Sequence, residues 1–331
     1  MSTGPTPAIS AHLSGTRQLR RVLVVGASGF LGSALYDRLA DTGIPTLVGT
    51  SRTGHSVPDG GDALALDITD QSAVQQAVDK TGPDTVFHVA GHVTGSRDLD
   101  IVVPSMLVNL VGTVNLLVAC ARSGGPRVVL ASSHEEPEPH EGDPVPRSPY
   151  AAAKFGASAF GRHLHRIHGL PIVNLRITMG YGPAQRDRRK LVPYVIESLA
   201  RGESPRLSSG ERLVDWVYQD DVVDAFIAAA QRPQAAGATV DVGTGELHSV
   251  RAVAERLRDL IDPSVPLEFG ALDDRPMERS KKANVATAEQ VLGWSARHSL
   301  DDGLQLTVDG LSNRLPAATD DTVGDRQGKR R

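Results

Sequence analysis

A glycine-rich turn constrains the fold of this chain more than any other feature. The turn, Gly26-Ala27-Ser28-Gly29-Phe30-Leu31-Gly32, lies between the apolar run Val22-Leu23-Val24-Val25 and an amphipathic segment. A buried strand, a tight turn and a helix start can hold a pyrophosphate, because glycine lets backbone N–H groups approach phosphate oxygens at a helix N-terminus. The spacing differs from the better-known Gly-x-Gly-x-x-Gly fingerprint. Two interpretations therefore stay open at this point, a phosphate cradle and a plain strand–helix turn.

Short apolar runs alternate with helical patterns through the first 180 residues. The runs are apolar at nearly every position, as strands covered on both faces must be. This pattern predicts an α/β fold with a doubly wound parallel sheet of the Rossmann type. The predicted strands are Val22–Val25, Thr46–Thr50, Ala63–Leu66, Asp84–Val89, Arg127–Ala131 and Pro171–Arg176.

The second half of the chain is less regular and predicts a smaller α+β substrate lobe, formed by residues 181–218 and 246–311. The dinucleotide-binding domain is predicted to span 19–180 and to be completed by about 219–245. It includes long helices at about 101–122 and 149–168. Because ligands of open α/β sheets bind at the carboxyl ends of the strands, the lobe is expected to cover a cofactor there. Disordered tails are predicted for 1–18 and 312–331.

Composition narrows the class of protein. The 331 residues carry a net charge of −4, and the pI near 6.3 gives no signature of nucleic-acid binding. The longest apolar runs fall below the roughly 18 residues that span a bilayer. The single cysteine, Cys120, excludes an internal disulfide. We expect a cytoplasmic protein without a nucleic-acid partner, a membrane segment or a bound metal.

A second chemical signal is the pair Tyr150 and Lys154 in Tyr-Ala-Ala-Ala-Lys. Positions i and i+4 share one face of a helix, so the phenol and the ammonium point into the same space. The lysine charge is expected to lower the pKa of Tyr150 towards neutrality. The phenol would then exchange a proton with a hydroxyl or carbonyl oxygen of a substrate.

Together these motifs resemble the extended short-chain dehydrogenase/reductases, the NAD(P)-dependent nucleotide-sugar epimerase/dehydratase/ketoreductase family. The resemblance covers about residues 21–311, and several motifs occur in the family's order. They are Gly26–Gly32, Leu66–Asp70, Val86–Ala90, Asn109–Thr113, Ser132-Ser133, Tyr150–Lys154, Tyr181–Pro183, Asp215–Val222 and Leu292–Trp294.

The resemblance implies roles for individual residues. Tyr150 would be the general acid/base, Lys154 would bind the nicotinamide ribose and tune Tyr150, and Ser133 would hydrogen-bond the reacting oxygen. Asp67 and Ile68 would contact the adenine. With Tyr150 and Lys154, the implied cofactor-binding residues are Gly26, Ser28, Gly29, Phe30, Leu31, Gly32, Ser51, Arg52, Asp67, Ile68, Ala90 and Gly91.

The loop after Ser133 has diverged from the family. Glu135 matches the position of a catalytic glutamate in sugar 4,6-dehydratases, and a Ser-x-Glu run also resembles some 4-keto-6-deoxysugar reductases. A carboxylate there is able to move a proton at a carbon next to a ketone. The usual Val-Tyr-Gly is replaced by Glu136-Pro137-Glu138, so a solvated loop acid is the alternative interpretation of Glu135.

The end of the second predicted strand bears on cofactor choice. An NAD site normally places Asp or Glu there for the ribose 2′-OH. This chain has Ser51 and Arg52 instead, and a hydroxyl with a guanidinium suits a 2′-phosphate. NADP(H) is therefore favoured over NAD.

The substrate end departs most from the family. The positions where the family often has Asn and Arg for the nucleotide diphosphate are Met179 and Val214 here. Arg212, the basic loop 186–190, or Arg275 and Arg279 are candidates to replace them. The residues predicted to bind substrate are His92, Thr94, His134, Met179, Arg212 and Arg275.

The leading hypothesis is NADPH-dependent reduction of a nucleotide-linked keto-deoxysugar. The alternatives are an epimerase or dehydratase that retains NAD, with Glu135 or His134 moving the second proton, and a non-catalytic dinucleotide-binding protein of the same fold. The resemblance also implies a homodimer, paired through the two long helices.

Overall fold

A computed structural model describes residues 15–54, 63–138, 145–275 and 280–312. Its strands are β1 Arg21–Val25, β2 Thr46–Ser51, β3 Ala63–Ala65, β4 Thr85–His88, β5 Arg127–Ser133, β6 Ile172–Ile177, β7 Met179–Tyr181, β8 Leu213–Val214, β9 Trp216–Tyr218, β10 Thr239–Val242 and β11 His248–Ser249. Its α-helices are α1 Phe30–Ala40, α2 Gln71–Thr81, α3 Leu99–Ser105, α4 Thr113–Arg122, α5 Pro149–His168, α6 Leu191–Ala200, α7 Gln219–Gln231, α8 Val250–Ile261, α9 Val285–Leu292 and α10 Leu300–Ser312.

Seven of the strands form one parallel sheet in the order β10-β6-β5-β4-β1-β2-β3. The order reverses beside β1, which is where a doubly wound sheet opens a crevice for a ligand. The predicted fold class is confirmed. The strand β5 continues two residues further than predicted, because Ser133 pairs with Ile177 of β6.

Alternate residues of each central strand face opposite helix layers. Val22 and Val24 of β1 pack with α1, α7 and α9, whereas Leu23 and Val25 pack with α2 and α4. All four side chains are buried, which explains why the strand is apolar from Val22 to Val25. The two layers hold the carboxyl ends of the strands at one rigid edge.

The long helix predicted at 101–122 begins at Leu99 and contains an irregularity. Residues Met106–Gly112 form a π-helical segment between α3 and α4. The segment Leu99–Arg122 has a mean hydropathy of 2.0, and by length and composition alone it is long and apolar enough to cross a membrane. The core helix of a soluble protein has the same signature, and here α4 packs on α2 and α5.

The second half forms a separate hydrophobic cluster, in which α6, α8 and α10 pack around the β7–β9 pair. This agrees with a smaller α+β lobe, although its exact bounds stay a prediction. Glu268 of this lobe forms an isolated parallel bridge with Arg206.

Part of the predicted N-terminal tail makes contacts with the sheet domain. Arg17 lies inside the predicted tail, yet its backbone N–H donates to the carbonyl of Gln231 at 2.8 Å. Its guanidinium donates to Thr85 Oγ1 at 2.6 Å and pairs with Asp84. Residues 1–14 and 313–331, which make up most of the predicted tails, lie outside the described residues.

Candidate active site

The glycine-rich turn has the shape of a phosphate cradle. Gly26 has φ +95°, and a Cβ there would lie 2.6 Å from the backbone of Ala90. A Cβ on Gly32 would overlap the carbonyl oxygen of Gly26. Gly29 is the N-cap of α1, and none of the described side chains caps that helix end. The N–H groups of Gly26, Ala27 and Gly29 are hydrogen-bonded within the protein, to Thr50 and to the Gly26 carbonyl. The first N–H groups of α1 have no carbonyl partner within the helix, and this helix start fits a dinucleotide pyrophosphate.

The predicted acid/base pair meets Ser133 at the carboxyl end of β5. Ser148 caps α5 by accepting a hydrogen bond from the Ala151 N–H at 3.0 Å, and this fixes the helix turn that carries Tyr150. The Ser133 hydroxyl accepts from the Glu135 N–H at 3.1 Å and lies close enough to the Tyr150 phenol to lower its pKa. The structure thus brings the two hydroxyls into one site, as a reacting oxygen requires.

Lys154 lies beneath this pair. Its ammonium is 5.9 Å from the centre of the Tyr150 ring and donates to the carbonyl oxygen of Ala131 at 2.8 Å. A Cβ on Gly91 would lie 3.5 Å from the same ammonium, so the loop after β4 passes over it. The lysine therefore faces the part of the crevice where the resemblance puts the nicotinamide ribose.

Burial dominates the titration of both groups. It lowers the pKa of Lys154 to about 8. Burial also raises the pKa of Tyr150, and the negative charge of Glu135 raises it further. The prediction that Lys154 brings the pKa of Tyr150 towards neutrality is therefore wrong for the protein on its own. The phenol is protonated at neutral pH and is ready to donate a proton.

Glu135 lies at the mouth of the site. It is exposed, and its Oε2 accepts a hydrogen bond from the Ser148 hydroxyl at 3.4 Å. Its charge acts on Tyr150 and on Lys190. The structure therefore brings Glu135 to the same cleft as the acid/base pair, and not into a remote solvated loop.

Glu136 is a functional candidate that the sequence analysis missed. Its side chain is 4% exposed, and its Oε1 accepts from the Ser133 N–H and the Ser158 hydroxyl, both at 3.0 Å. Burial raises the pKa of Glu136. The sequence signal was the replacement of an apolar family position by an acid directly after the catalytic strand.

His134 points away from the site, contrary to its predicted contact with substrate and its proposed part in proton transfer. The side chain is 9% exposed, and Nε2 lies 3.5 Å from Asp241 Oδ2. Asp241 also pairs with Arg176 at 2.7 Å, and Arg176 pairs with Glu138 at 2.9 Å. His134 is drawn into this buried ionic cluster because Asp241 stands near the carboxyl end of β10, which is separated from β5 only by β6.

The loop after β4 carries the predicted residues Ala90, Gly91, His92 and Thr94. Asn109, from the π-helical segment, clamps this loop by accepting from the His92 N–H at 2.9 Å and donating to the His92 carbonyl at 3.1 Å. The half-buried Thr94 accepts from the Ser96 N–H at 3.1 Å. The clamp holds the wall of the crevice opposite the glycine turn.

The predicted adenine end lies at the tips of β2 and β3. Ser51 is buried at the end of β2, and Arg52 follows it as an exposed side chain. Asp67 accepts from the Thr69 hydroxyl at 2.7 Å and from the Thr69 N–H at 2.9 Å. These bonds and the charge of Arg52 hold the pKa of Asp67 below its usual range. Ile68 is buried beside Gly112 of the neighbouring helix layer.

The substrate side is lined by basic groups. The Arg275 guanidinium lies over Gly95, and the half-buried Lys190 is close enough that Arg275 and Glu135 both act on its charge. Arg212 directly precedes β8 in the second half of the chain and is half-buried. Met179 packs instead with the hydrophobic cluster of the lobe, and Val214 is buried there. Arg279 lies outside the described residues.

The described parts of the chain contain no group of three or more His, Cys, Asp or Glu side chains arranged to hold a metal ion. The functional groups beside Tyr150 are hydroxyls, the Lys154 ammonium and carboxylates. Such groups suit proton transfer to and from a ligand oxygen.

A Rossmann sheet with a glycine cradle and a Ser–Tyr–Lys set defines a dinucleotide-dependent enzyme. The chain belongs to the NAD-dependent epimerase/dehydratase family, whose model matches residues 22–243. It is an extended short-chain dehydrogenase/reductase, the class of nucleotide-sugar epimerases, dehydratases and decarboxylases.

Similar proteins cover nearly the whole chain. A UDP-glucose 4-epimerase of Mycolicibacterium smegmatis is 31% identical over 89% of this chain and 99% of its own length. A probable dTDP-glucose 4,6-dehydratase of Sinorhizobium fredii is 27% identical over 87% and 92%. The solved structure of MoeE5 in complex with UDP-glucose and NAD is 29% identical, with a TM-score of 0.78 over 89% of this chain and 99% of that one.

Proposed function

We propose that this protein moves a hydride to or from a ring carbon of a nucleoside-diphosphate hexose, in an epimerase or dehydratase cycle that returns its dinucleotide unchanged. The observation that carries the proposal is the Ser133–Tyr150–Lys154 set with the Glu135 carboxylate in the same cleft. Such a set handles one proton at a sugar oxygen and a second at a neighbouring carbon.

Tyr150 and Ser133 would act on the sugar hydroxyl. The bound dinucleotide supplies a hydride acceptor and donor. Tyr150 would take the hydroxyl proton as the phenolate and return it as the phenol when the carbonyl is reduced. Because the phenol is protonated in the protein alone, the oxidation step requires its ionisation in the loaded enzyme. The Ser133 hydroxyl, held by the Glu135 N–H, donates to the sugar oxygen and fixes its position. Positioning of this kind lowers the entropic part of the barrier.

Glu135 would act next to the carbonyl. A hydrogen on the carbon beside a ketone is acidic, and a carboxylate within reach removes it. The Ser148 hydroxyl orients Glu135 towards the cleft. This arrangement favours a dehydratase, or an epimerase at the neighbouring carbon, over a simple 4-epimerase that needs no second base.

Basic side chains would hold the diphosphate. Arg275 and Glu135 both act on the charge of Lys190, and the burial of Lys190 strengthens its attraction for an anion. The half-buried Arg212 is a third candidate. They would replace the polar groups absent at Met179 and Val214. The relatives named for UDP-glucose and dTDP-glucose support a uridine or thymidine diphosphate handle.

The test is product analysis with UDP-glucose, dTDP-glucose and UDP-glucuronate. The purified protein, supplied with NAD or NADP, is incubated with each sugar, and products are separated by anion-exchange chromatography and identified by proton NMR. We expect an epimer or a 4-keto-6-deoxy product from at least one of them, and a 4-keto-6-deoxy product or an epimer at the carbon beside the ketone if Glu135 acts as the second base. Binding without conversion, in the wild type as in Tyr150→Phe, would contradict the proposal.

A second candidate is the NADPH-dependent reduction of a nucleotide-linked keto-deoxysugar. It is favoured by Ser51 and Arg52, which offer a hydroxyl and a cation where an NAD site has an acid. The protonated state of Tyr150 at neutral pH also suits proton donation to a ketone. Net oxidation of NADPH by a 4-keto-6-deoxy nucleotide sugar would establish this candidate over the first.

The homodimer also stays a proposal. Apolar side chains are exposed along the helices that the resemblance pairs, including Val103 at 56% and Phe160 at 47%. Burying them against a second copy would remove this apolar surface from water. Light scattering on wild type and on Phe160→Glu would test it, with the variant expected to be monomeric.

A further inference from the structure

A buried carboxylate ties the catalytic strand to the catalytic helix. Glu136 Oε1 accepts one hydrogen bond from the Ser133 N–H, at the end of β5, and one from the Ser158 hydroxyl, on α5. Ser158 is completely buried and also shares a hydrogen bond of 2.9 Å with Ser132. The carboxylate therefore occupies the seam between these two elements.

The face of α5 that contacts this carboxylate is the one that carries the acid/base residue. Tyr150, Lys154 and Ser158 are spaced by four residues and so lie along one face of α5. Glu136 is thus bonded to Ser158, the last residue of a row that begins with the acid/base Tyr150. A shift of Glu136 would move Ser133 and α5 relative to one another, and with them the Ser133–Tyr150 contact.

The charges around Glu136 single out Lys154 as its counterpart. Lys154 on α5 and Arg176 on β6 both act on Glu136. Arg176 is already paired with Asp241 and Glu138. The described partner of the Lys154 ammonium is a neutral carbonyl, that of Ala131.

Other titratable groups face this pair. Tyr150 lies above it, Glu135 acts on Tyr150, and His88 of β4 is buried within reach of the Lys154 charge. Burial lowers the pKa of His88 to about 3, so this imidazole is neutral and adds no charge at neutral pH. Because a buried ammonium is costly without a compensating charge, Glu136 is the anion that makes a charged Lys154 tolerable.

We propose that Glu136 is a positioning residue that keeps Lys154 charged and holds Ser133 against Tyr150. The importance of Glu136 for turnover rests on the proposed function. The effect of its charge on Lys154 does not. Burial pulls the pKa of Lys154 down and the Glu136 charge opposes that pull, which leaves the pKa at about 8. Without this carboxylate, a large share of Lys154 would be neutral at physiological pH.

The test separates the charge of Glu136 from its hydrogen bonds. Glu136→Gln keeps an acceptor for Ser133 and Ser158 but removes the charge. Glu138→Gln is the matched control, because this carboxylate stands two residues further on and pairs with Arg176 and Lys281. Lys154 is observed by carbon-13 NMR of labelled lysine side chains, without substrate or dinucleotide. The signal is assigned by its absence in Lys154→Met, among the lysines 80, 154, 190, 281, 282 and 329.

We expect the midpoint of the Lys154 titration to fall by about one pH unit or more in Glu136→Gln. Glu136→Asp, which keeps the charge, should recover most of the wild-type midpoint, and Glu138→Gln should not move it. An unchanged midpoint in Glu136→Gln would overturn the proposal. If that variant does not fold, a midpoint below pH 7 in the wild type overturns it as well. Neither result depends on turnover, so a failure of the proposed function is recognised separately.

Discussion

The ammonium of Lys154 donates a hydrogen bond of 2.8 Å to the carbonyl oxygen of Ala131 inside the protein. Burial lowers the pKa of this lysine to about 8 from its ordinary value near 10.5, so the folded state holds its proton less tightly than the unfolded chain. The charge therefore destabilises the fold below pH 8, and the penalty disappears as the pH rises towards 10.5.

Lys154→Met should consequently be more stable than the wild type at pH 7, by about 2 kcal/mol after the loss of the hydrogen bond. The gain should shrink at pH 10, and activity should be lost. Urea unfolding at both pH values measures the effect. Lys80→Met, at an exposed position of α2, is the control and should change little. A less stable Lys154→Met at pH 7 would contradict the account.

Three glycine-to-alanine substitutions test whether the turn binds a dinucleotide. Gly32→Ala should abolish dinucleotide binding, because its Cβ would overlap the Gly26 carbonyl oxygen. Gly29→Ala should weaken binding only modestly, since its Cβ would lie 3.3 Å from the same oxygen. Gly43→Ala has φ +70° and no described atom within 4 Å of a Cβ, so it should cost about 1 kcal/mol of stability and leave binding intact. Isothermal titration with NAD and NADP ranks the three, and equal affinities would refute the cradle.

The ionic cluster behind the site should make stability sensitive to acid. Interactions with His134, Asn284 and Arg176 outweigh burial and hold the pKa of Asp241 at about 2, well below its ordinary value of 3.8. This carboxylate therefore stabilises the fold fully above about pH 4, and the contribution is lost as the pH falls through 2. The amount is about 2 kcal/mol.

Asp241→Asn should remove that part of the pH dependence and destabilise the protein by about 2–4 kcal/mol at pH 7, because Arg176 and His134 lose a partner. Urea unfolding between pH 3 and pH 7 gives both quantities. Asp273→Asn, at an exposed position, serves as the control. The assignment fails if Asp241→Asn is as stable as the wild type at pH 7.

The expected preference for NADP over NAD depends on Arg52. If it binds the 2′-phosphate, Arg52→Ala should weaken NADP binding by about 10- to 100-fold, the value of a hydrogen bond to a charged group. Its effect on NAD should be small. Fluorescence titration of both dinucleotides checks this. Equal losses for the two dinucleotides would remove the argument for NADP.

Much of the fold and part of the site follow from local sequence. The all-apolar strands and the turn at Gly26–Gly32 define the parallel sheet, because every residue of β1 must suit one of two helix layers. The spacing of Tyr150 and Lys154 is equally local. Glu136 and His134 could not be placed this way, since their direction depends on Ser158 and Asp241, which are distant in sequence.

The central claim is that Tyr150 exchanges a proton with the oxygen of a nucleotide-linked sugar while hydride leaves or joins its carbon. The most direct test is the turnover of UDP-glucose and dTDP-glucose by wild type and Tyr150→Phe, with sugar affinity measured in parallel. The account predicts that the phenylalanine variant binds the sugar as well as the wild type but is at least about 100-fold slower. Equal turnover by the two proteins would contradict it.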